Sequence, residues 1–281
     1  MAVAPADVSL AGAGALLLVG CGKMGGALLN GWLARGADQD QIVVVEPAAD
    51  PARVQIPDGI AAVASPEAVP EGFRPDIVIM AVKPQLMAEV APAYGRFVAA
   101  GAAVLSIAAG TNIRFFEQCF GDQAAVVRVM PNTPAAIGRG MSVLCANGNA
   151  SEAQRALCGR LLAAVGETAW LDDEALMDAV TAVSGSGPAY VFLLIECLAR
   201  AGEAVGLPPA LAQTLARETV AGAGELARSA DDGPAQLRIN VTSPGGTTAA
   251  ALEVLMAKPG LAELLEQAVT AAERRGRELG G

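Results

Sequence analysis

Ala15-Leu16-Leu17-Leu18-Val19-Gly20-Cys21-Gly22-Lys23-Met24-Gly25 runs from an unbroken aliphatic stretch straight into three glycines spaced as GxGxxG. A run that is apolar on both faces suits a central strand of a parallel sheet, covered by helices on each side. Beyond the glycines, Leu28, Leu29, Trp32 and Leu33 recur at helical spacing, and Gly36 closes the pattern. In a strand–turn–helix unit of this kind Gly20 allows the tight turn. Gly22 lets a pyrophosphate approach the backbone, and Gly25 lets helix and strand pack closely. The helix start adds free N–H groups and a partial positive charge. The stretch therefore predicts a dinucleotide-binding turn, with Gly20, Cys21, Gly22, Lys23, Met24 and Gly25 against the ligand.

Working outward, Ile42 to Val45, Asp76 to Val82, Ala103 to Ile107 and Ala125 to Met130 read as further strands alternating with helical patterns. Met141 to Ala146 and Thr168 to Leu171 would extend the sheet. Between these two, Ser151-Glu152-Ala153-Gln154 reads as a capping box opening a helix that ends at Gly166. After about residue 172 the alternation stops and only helical periodicity remains. It is interrupted at Gly206-Leu207-Pro208-Pro209, Asp231-Asp232-Gly233-Pro234 and Thr242-Ser243-Pro244-Gly245-Gly246. The expected architecture is an α/β protein: an N-terminal Rossmann-type doubly wound sheet over residues 1–171, then an all-helical domain over residues 172–281. A length of 281 residues, at about 150 per domain, agrees with two domains.

Ligands of open α/β sheets gather outside the carboxyl ends of the strands. Glu46 ends the second strand, 21 positions after Gly25, where an acidic side chain binds adenosine ribose hydroxyls or is simply solvated. Ala81-Val82-Lys83-Pro84 and Ile107-Ala108-Ala109-Gly110 close two more strands at the same edge. Small residues there leave room for a flat ring. Lys83 is either a contact to phosphate or carboxylate, or an ordinary surface lysine. A full negative charge at Glu46 would oppose a ribose 2′-phosphate. Pro47-Ala48-Ala49-Asp50-Pro51 holds no Lys or Arg to offset it, and Arg53 is the first cation beyond. The local charge thus leans toward NADH over NADPH.

Composition excludes several classes. There is no histidine, which removes every His-based triad, metal site and general acid. A net charge of −10 and 4% aromatics argue against nucleic acid and anionic membrane as partners. The five cysteines form no CxxC pair, so no metal site and no disulfide framework is expected. The first twenty residues lack a basic n-region, and a cytoplasmic protein is expected. Tyr190 to Leu207 carries Glu196, Arg200 and Glu203 at helical spacing, and reads as a buried helix rather than a membrane span.

Three segments stand apart from plain core: Val127-Arg128-Val129-Met130-Pro131-Asn132-Thr133-Pro134, Ser184-Gly185-Ser186-Gly187-Pro188-Ala189-Tyr190, and Val241-Thr242-Ser243-Pro244-Gly245-Gly246-Thr247-Thr248. The last two put glycines, hydroxyls and a proline before a helical run. Such a turn either cradles a small carboxylate or merely caps a helix. Together with the glycine turn, these segments resemble the pyrroline-5-carboxylate reductase family over nearly the whole chain, from about residue 14 to 280. The resemblance implies reduction of a cyclic imine carboxylate to L-proline with NADH or NADPH, the last step of proline biosynthesis. It also implies a homodimer built from the helical domain, with rings of dimers (decamers) in some members. Carried over residue by residue, it places Gly20 to Gly25, Ser65, Ala81 to Pro84 and Ile107, Ala108 and Ala109 at the cofactor. Glu174, Asn240, Ser243, Gly246, Thr247 and Thr248 fall at substrate-pocket positions, with Asn240 also near the nicotinamide. The Thr248 hydroxyl would bond the ring nitrogen.

Two departures from the family pattern are visible. Ile239 stands beside Asn240 where some relatives carry an acidic residue, and about a dozen extra residues precede the first strand. A β-hydroxyacid dehydrogenase would need a lysine early in its second domain, but the only lysines are Lys23, Lys83 and Lys258. A reductase of another cyclic imine, and a non-catalytic dinucleotide-binding regulator, stay open at this point.

Overall fold

A computed structural model of the chain describes residues 8–47 and 56–280. The sheet has eight strands: β1 (Leu16–Val19), β2 (Ile42–Val45), β3 (Ala61–Val63), β4 (Ile77–Met80), β5 (Ala103–Ser106), β6 (Val126–Met130), β7 (Gly140–Ala146) and β8 (Gly166–Leu171). Their order is β3-β2-β1-β4-β5-β6-β7-β8. All neighbours run parallel except β6 and β7. β1 lies between β2 and β4, so the chain winds outward in opposite directions from it, and a crevice opens at its carboxyl end.

Period-two alternation divides these strands between two cores. Leu16, Leu18, Val44 and Ile79 face one side, where they meet Leu28, Leu29 and Trp32 of α1 (Lys23–Ala34). Leu17, Val19, Val43 and Met80 face the other, against Tyr94, Phe97 and Phe116. Trp32 reaches across to donate its indole N–H to the Leu161 carbonyl at 2.9 Å, so its one polar atom is satisfied in the core. The remaining helices of this half are α2 (Met87–Val90), α3 (Gly95–Ala99), α4 (Ile113–Phe120), α5 (Glu152–Ala163) and α6 (Met177–Val180). The capping box at Ser151 and Gln154 forms as expected. The helix it opens stops at Ala163 rather than Gly166, because Gly166 already pairs with Gly140, and a Cβ on it would fall 2.0 Å from the Gly140 carbonyl oxygen. β3 is an addition to the expected strands. It is short, and Ala61 and Ala62 are exposed, so no aliphatic run announces it.

Two compact units divide the chain: Met1–Gly185 with Glu273–Gly281, and Ser186–Ala272. In the first, the chain continues past the last strand because Met177 and Ala182 are buried. Asn132 ties the same segment down. Its amide donates to the Ser184 carbonyl at 3.2 Å, and its oxygen accepts from the Met141 N–H at 2.8 Å. The Thr181–Gly185 turn is a π-helix, the wide form that recurs at functional sites.

The second unit is helical: α7 (Gly187–Ala204), α8 (Pro209–Ser229), α9 (Pro234–Asn240), α10 (Thr247–Leu255) and the start of α11 (Leu261–Gly280). The break between α10 and α11, over Met256 to Gly260, was not expected. The helix at Tyr190 to Leu207 is found but is not buried within the chain. Phe192, Leu193 and Leu194 are 58%, 54% and 49% exposed, because no element of this unit covers that face. By length and composition alone, Glu174–Ala204 could cross a membrane.

Candidate active site

The crevice at the carboxyl ends of β1, β2, β4 and β5 is a cleft of about 1160 Å³. The backbone lays out its floor. Gly20 N–H donates to the Val45 carbonyl, Ala81 N–H to Val19, and Ile107 N–H to Met80, so four strand ends reach the same level. Gly20, Gly22, Lys23 and Met24 of the turn line the cleft, with Glu46, Ser65, Ala81 to Pro84, and Ile107 to Ala109. Cys21 and Gly25 do not line it. Cys21 is turned inward and 1% exposed, and Gly25 is buried under the turn.

The three glycines divide the labour that their spacing requires. Gly20 has φ +87°, and a Cβ there would stand 2.8 Å from the Ala81 carbonyl oxygen. A Cβ on Gly25 would fall 2.3 Å from the Gly20 oxygen, so only glycine lets α1 start this close to the strand. Gly22 is different: a Cβ on it would meet nothing within 4 Å. No side chain caps α1 there, so its first N–H groups face open space. That is the environment a pyrophosphate needs.

Glu46 closes one side. Its Oε2 accepts the Cys21 N–H at 2.7 Å, a charge-assisted bond of about 1.5–3 kcal/mol that pins the carboxylate to the turn. Burial, and then the Glu46 charge, push the Cys21 thiol up to about 11. Residues 48–55, and with them Arg53, lie outside the described residues. The opposite wall holds Pro66, Leu86, Glu89, Val90, Ala93 and Tyr94, none of which the motifs pointed to. Pro66 and Leu86 belong to short turns after Ser65 and Lys83, Glu89 and Val90 to α2, and Ala93 and Tyr94 to the turn that follows it; a proline near the start of each turn is the one local signal. Burial first, then Glu67 and Glu46, raises the Tyr94 phenol, so it is a neutral hydroxyl at ordinary pH.

Glu174 belongs to the first unit, unlike the other expected substrate residues. Its Oε1 accepts the Ile113 N–H at 2.8 Å and the Arg128 guanidinium at 2.9 Å. In the second unit, Asn240 is held from two sides. Its amide donates to Asp232 at 3.1 Å and its oxygen accepts from the Gln236 amide at 2.8 Å. Asp232 and Gln236 are therefore partners that motif reading missed. The Ser243-Pro244-Gly245-Gly246 turn delivers the chain to α10. Gly245 takes φ +69°, and a Cβ on Gly246 would fall 2.4 Å from the Ser243 hydroxyl. No side chain caps α10, so the N–H groups at Thr247 and Thr248 head the helix without a local acceptor. Thr248 is half-buried and Thr247 exposed. Among the described residues no group of three or more His, Cys, Asp or Glu side chains gathers.

A doubly wound sheet with an open glycine turn, joined to a helical unit carrying an uncapped hydroxyl-rich turn, defines a dinucleotide-dependent oxidoreductase. Residues 15–110 match the family model described as NADP oxidoreductase, coenzyme F420-dependent, and residues 174–279 match the one for pyrroline-5-carboxylate reductase dimerisation. The pyrroline-5-carboxylate reductase of Pseudomonas aeruginosa is 43% identical over 94% of this chain and 96% of its own. That of Haemophilus influenzae is 37% identical over 94% and 97%. Among solved structures, the Coxiella burnetii enzyme superposes with TM-score 0.87 at 33% identity, covering 95% of this chain and 98% of its own. The Plasmodium falciparum enzyme, solved with NADP bound, gives 0.80 at 30% identity over 95% and 98%. The chain belongs to the pyrroline-5-carboxylate reductase family.

Proposed function

We propose that the chain reduces 1-pyrroline-5-carboxylate to L-proline, the last step of proline biosynthesis, with the dinucleotide held in the cleft of the first unit. The uncapped face of Gly22 within a cleft that gathers four strand ends carries this reading, with the family membership beside it. NADH or NADPH bound in the cleft supplies the hydride that goes to the imine carbon. The N–H groups at Gly22, Lys23 and Met24 cradle the pyrophosphate, while Gly20, Cys21 and Gly25 shape the turn beneath them. Ser65 and Glu46 face the adenosine end, and Ala81, Val82, Lys83 and Pro84, with Ile107, Ala108 and Ala109, receive the rest of the dinucleotide.

On the substrate side, the N–H groups at Thr247 and Thr248 hold the carboxylate, with Ser243 and Gly246 shaping the turn. The Thr248 hydroxyl bonds the ring nitrogen. Asn240, pre-set by Asp232 and Gln236, is the substrate-side amide of the second unit, and Glu174 in the first unit has its second oxygen to offer a ligand. A protonated cyclic imine is already electrophilic, so the protein supplies position and charge rather than a strong acid. That fits a chain with no histidine.

The finer readings follow from charge and packing. Glu46, pinned by Cys21, accepts ribose hydroxyls and repels a 2′-phosphate, favouring NADH. Residues 1–171 form the dinucleotide-binding domain and residues 172–281 the substrate-binding and dimerisation domain of a cytoplasmic homodimer, with a ring of five dimers as its further assembly state. The relative solved with NADP pulls against the NADH preference, so both cofactors belong in the test. Initial rates of reduced-nicotinamide consumption are measured with five- and six-membered cyclic imine carboxylates. Turnover of the five-membered ring supports the assignment. Turnover of the six-membered ring alone, or of neither, overturns it.

A further inference from the structure

We propose that Arg128, which none of the assigned ligand contacts uses, is a positioning residue: through Glu174 and Asp178 it sets the loop that carries Ile107, Ala108 and Ala109 into the cleft. The inference rests on the assignment of that cleft to the dinucleotide.

The loop leaves the sheet after Ser106 and ends at Ile113, the first residue of α4. A helix start leaves N–H groups without intrahelical partners. Here the Phe115 N–H is taken by the Asn112 side chain at 2.9 Å, a local cap. The Ile113 N–H goes instead to Glu174 Oε1, 61 positions along the chain, at 2.8 Å. That same oxygen receives the Arg128 guanidinium at 2.9 Å, and the Arg128 side chain is only 8% exposed. The far end of the loop is thus fastened to a carboxylate that a buried cation holds in place.

A second grip acts on the middle of the loop. Gly110 takes φ +75°, and the backbone of Leu279 and Gly280 lies against it: a Cβ on Gly280 would be 3.4 Å from the Gly110 carbonyl oxygen. Where the end of α11 passes Asp178 it carries Gly276. A Cβ there would sit 3.2 Å from Asp178 Oδ1. Asp178 is the other carboxylate beside Arg128, with Oδ1 3.9 Å from the guanidinium. Both grips therefore run back to one buried charge.

Removing that charge would leave two carboxylates, Glu174 and Asp178, without the cation that both lie beside. Glu174 would turn toward water, abandon the Ile113 N–H and release the loop. A residue that only stabilised the fold would lower the melting temperature and leave cofactor binding unchanged.

The test uses the full-length protein with Arg128→Met, Arg128→Lys and Glu174→Gln. Dissociation constants for NADH and NADPH are taken from reduced-nicotinamide fluorescence, beside thermal melting. Arg128→Met is expected to weaken binding of the better cofactor by about tenfold. Arg128→Lys should recover much of this, since one ammonium donor still serves Glu174, and Glu174→Gln should fall between. If Arg128→Met does not fold, the other two variants decide. Cofactor binding within about twofold of wild type in every folded variant overturns the inference, whatever the melting temperatures. A wild-type protein that binds neither cofactor overturns the cleft assignment itself, and this inference with it.

Discussion

The two units bury themselves in opposite ways. In the first, the strand residues of β1, β2, β4 and β5 are all buried, and Trp32, Tyr94 and Phe116 are fully enclosed. In the second, the buried apolar side chains among the described residues are Ala199, Ala212 and Ala216, while Phe192, Leu194, Val254 and Leu264 stand open. Alanine and glycine let α7 and α8 approach closely, with Gly202 set against Ala212, but each contributes little transfer energy. A buried Leu or Phe is worth about 1.5–3 kcal/mol, and this unit leaves most of its own outside. One unit is a finished core. The other is half of a core, and its open face is what a second copy would complete.

The strongest way to break that contrast is to charge the open face. Phe192→Glu adds a carboxylate at a position 58% exposed within the chain, so the isolated fold loses little. If a second copy covers this face, the substitution buries an unpaired charge and should dissociate the assembly and lower activity by about a hundredfold or more. Sedimentation with a parallel rate assay checks this. A fully active monomer, in wild type or variant, would show that the second unit needs no partner.

Thr248→Ala sharpens the contrast from the side of chemistry. The α10 turn has no side-chain cap, so losing the hydroxyl costs the fold little. A hydrogen bond that strengthens in the transition state should cost kcat/KM about ten- to a hundredfold, with cofactor binding in the first unit hardly changed. Unchanged turnover would make Thr248 an ordinary helix-start residue.

How far these features could be read in advance follows the same division. Short apolar runs announced seven of the eight strands, most plainly β1, β2, β4 and β5, because a strand buried on both faces has no other composition. Ala61–Val63 had no such run. The floor of the cleft was legible at Gly20, Lys83 and Ala108, since strand ends carry motifs. Its far wall at Glu89 and Tyr94 was not, because short turns reach the cleft only through tertiary packing. Likewise, nothing local to Arg128 or Ile113 says that both meet Glu174. The helical periodicity of Tyr190 to Leu207 was correct, but periodicity states which face is apolar and not which chain covers it.

A smaller effect is expected where the first unit meets its ligand. Glu46→Ser keeps a hydrogen-bonding group at the end of β2 and removes the charge. The kcat/KM ratio of NADH to NADPH should fall by about tenfold, the equivalent of about 1.4 kcal/mol. Measured rates with each cofactor decide it. A wild type that already prefers NADPH tenfold would mean that the bond to Cys21 turns the carboxylate away from the ribose.

The last test, read in stability at alkaline pH rather than in activity, asks whether the first unit is as closed as its packing says. The Cys21 thiol, 1% exposed, is raised from its ordinary 9.0 to about 11, first by burial and then by Glu46. Cys158 is raised to about 12 by burial. A raised thiol in the folded state means that folding favours the protonated form. The stability is fully present below about pH 9. As pH climbs toward 11, the unfolded thiol ionises while the folded one does not, and up to about 1.4 kcal/mol per pH unit is lost from Cys21. Cys21→Ala removes that contribution and keeps the backbone N–H that Glu46 accepts. Wild type should therefore lose melting temperature more steeply than Cys21→Ala above about pH 9, with Cys158 still acting in both. Equal slopes would mean that water reaches the thiol in the folded protein. The glycine turn would then be open at its root, and the first unit would share the incompleteness of the second.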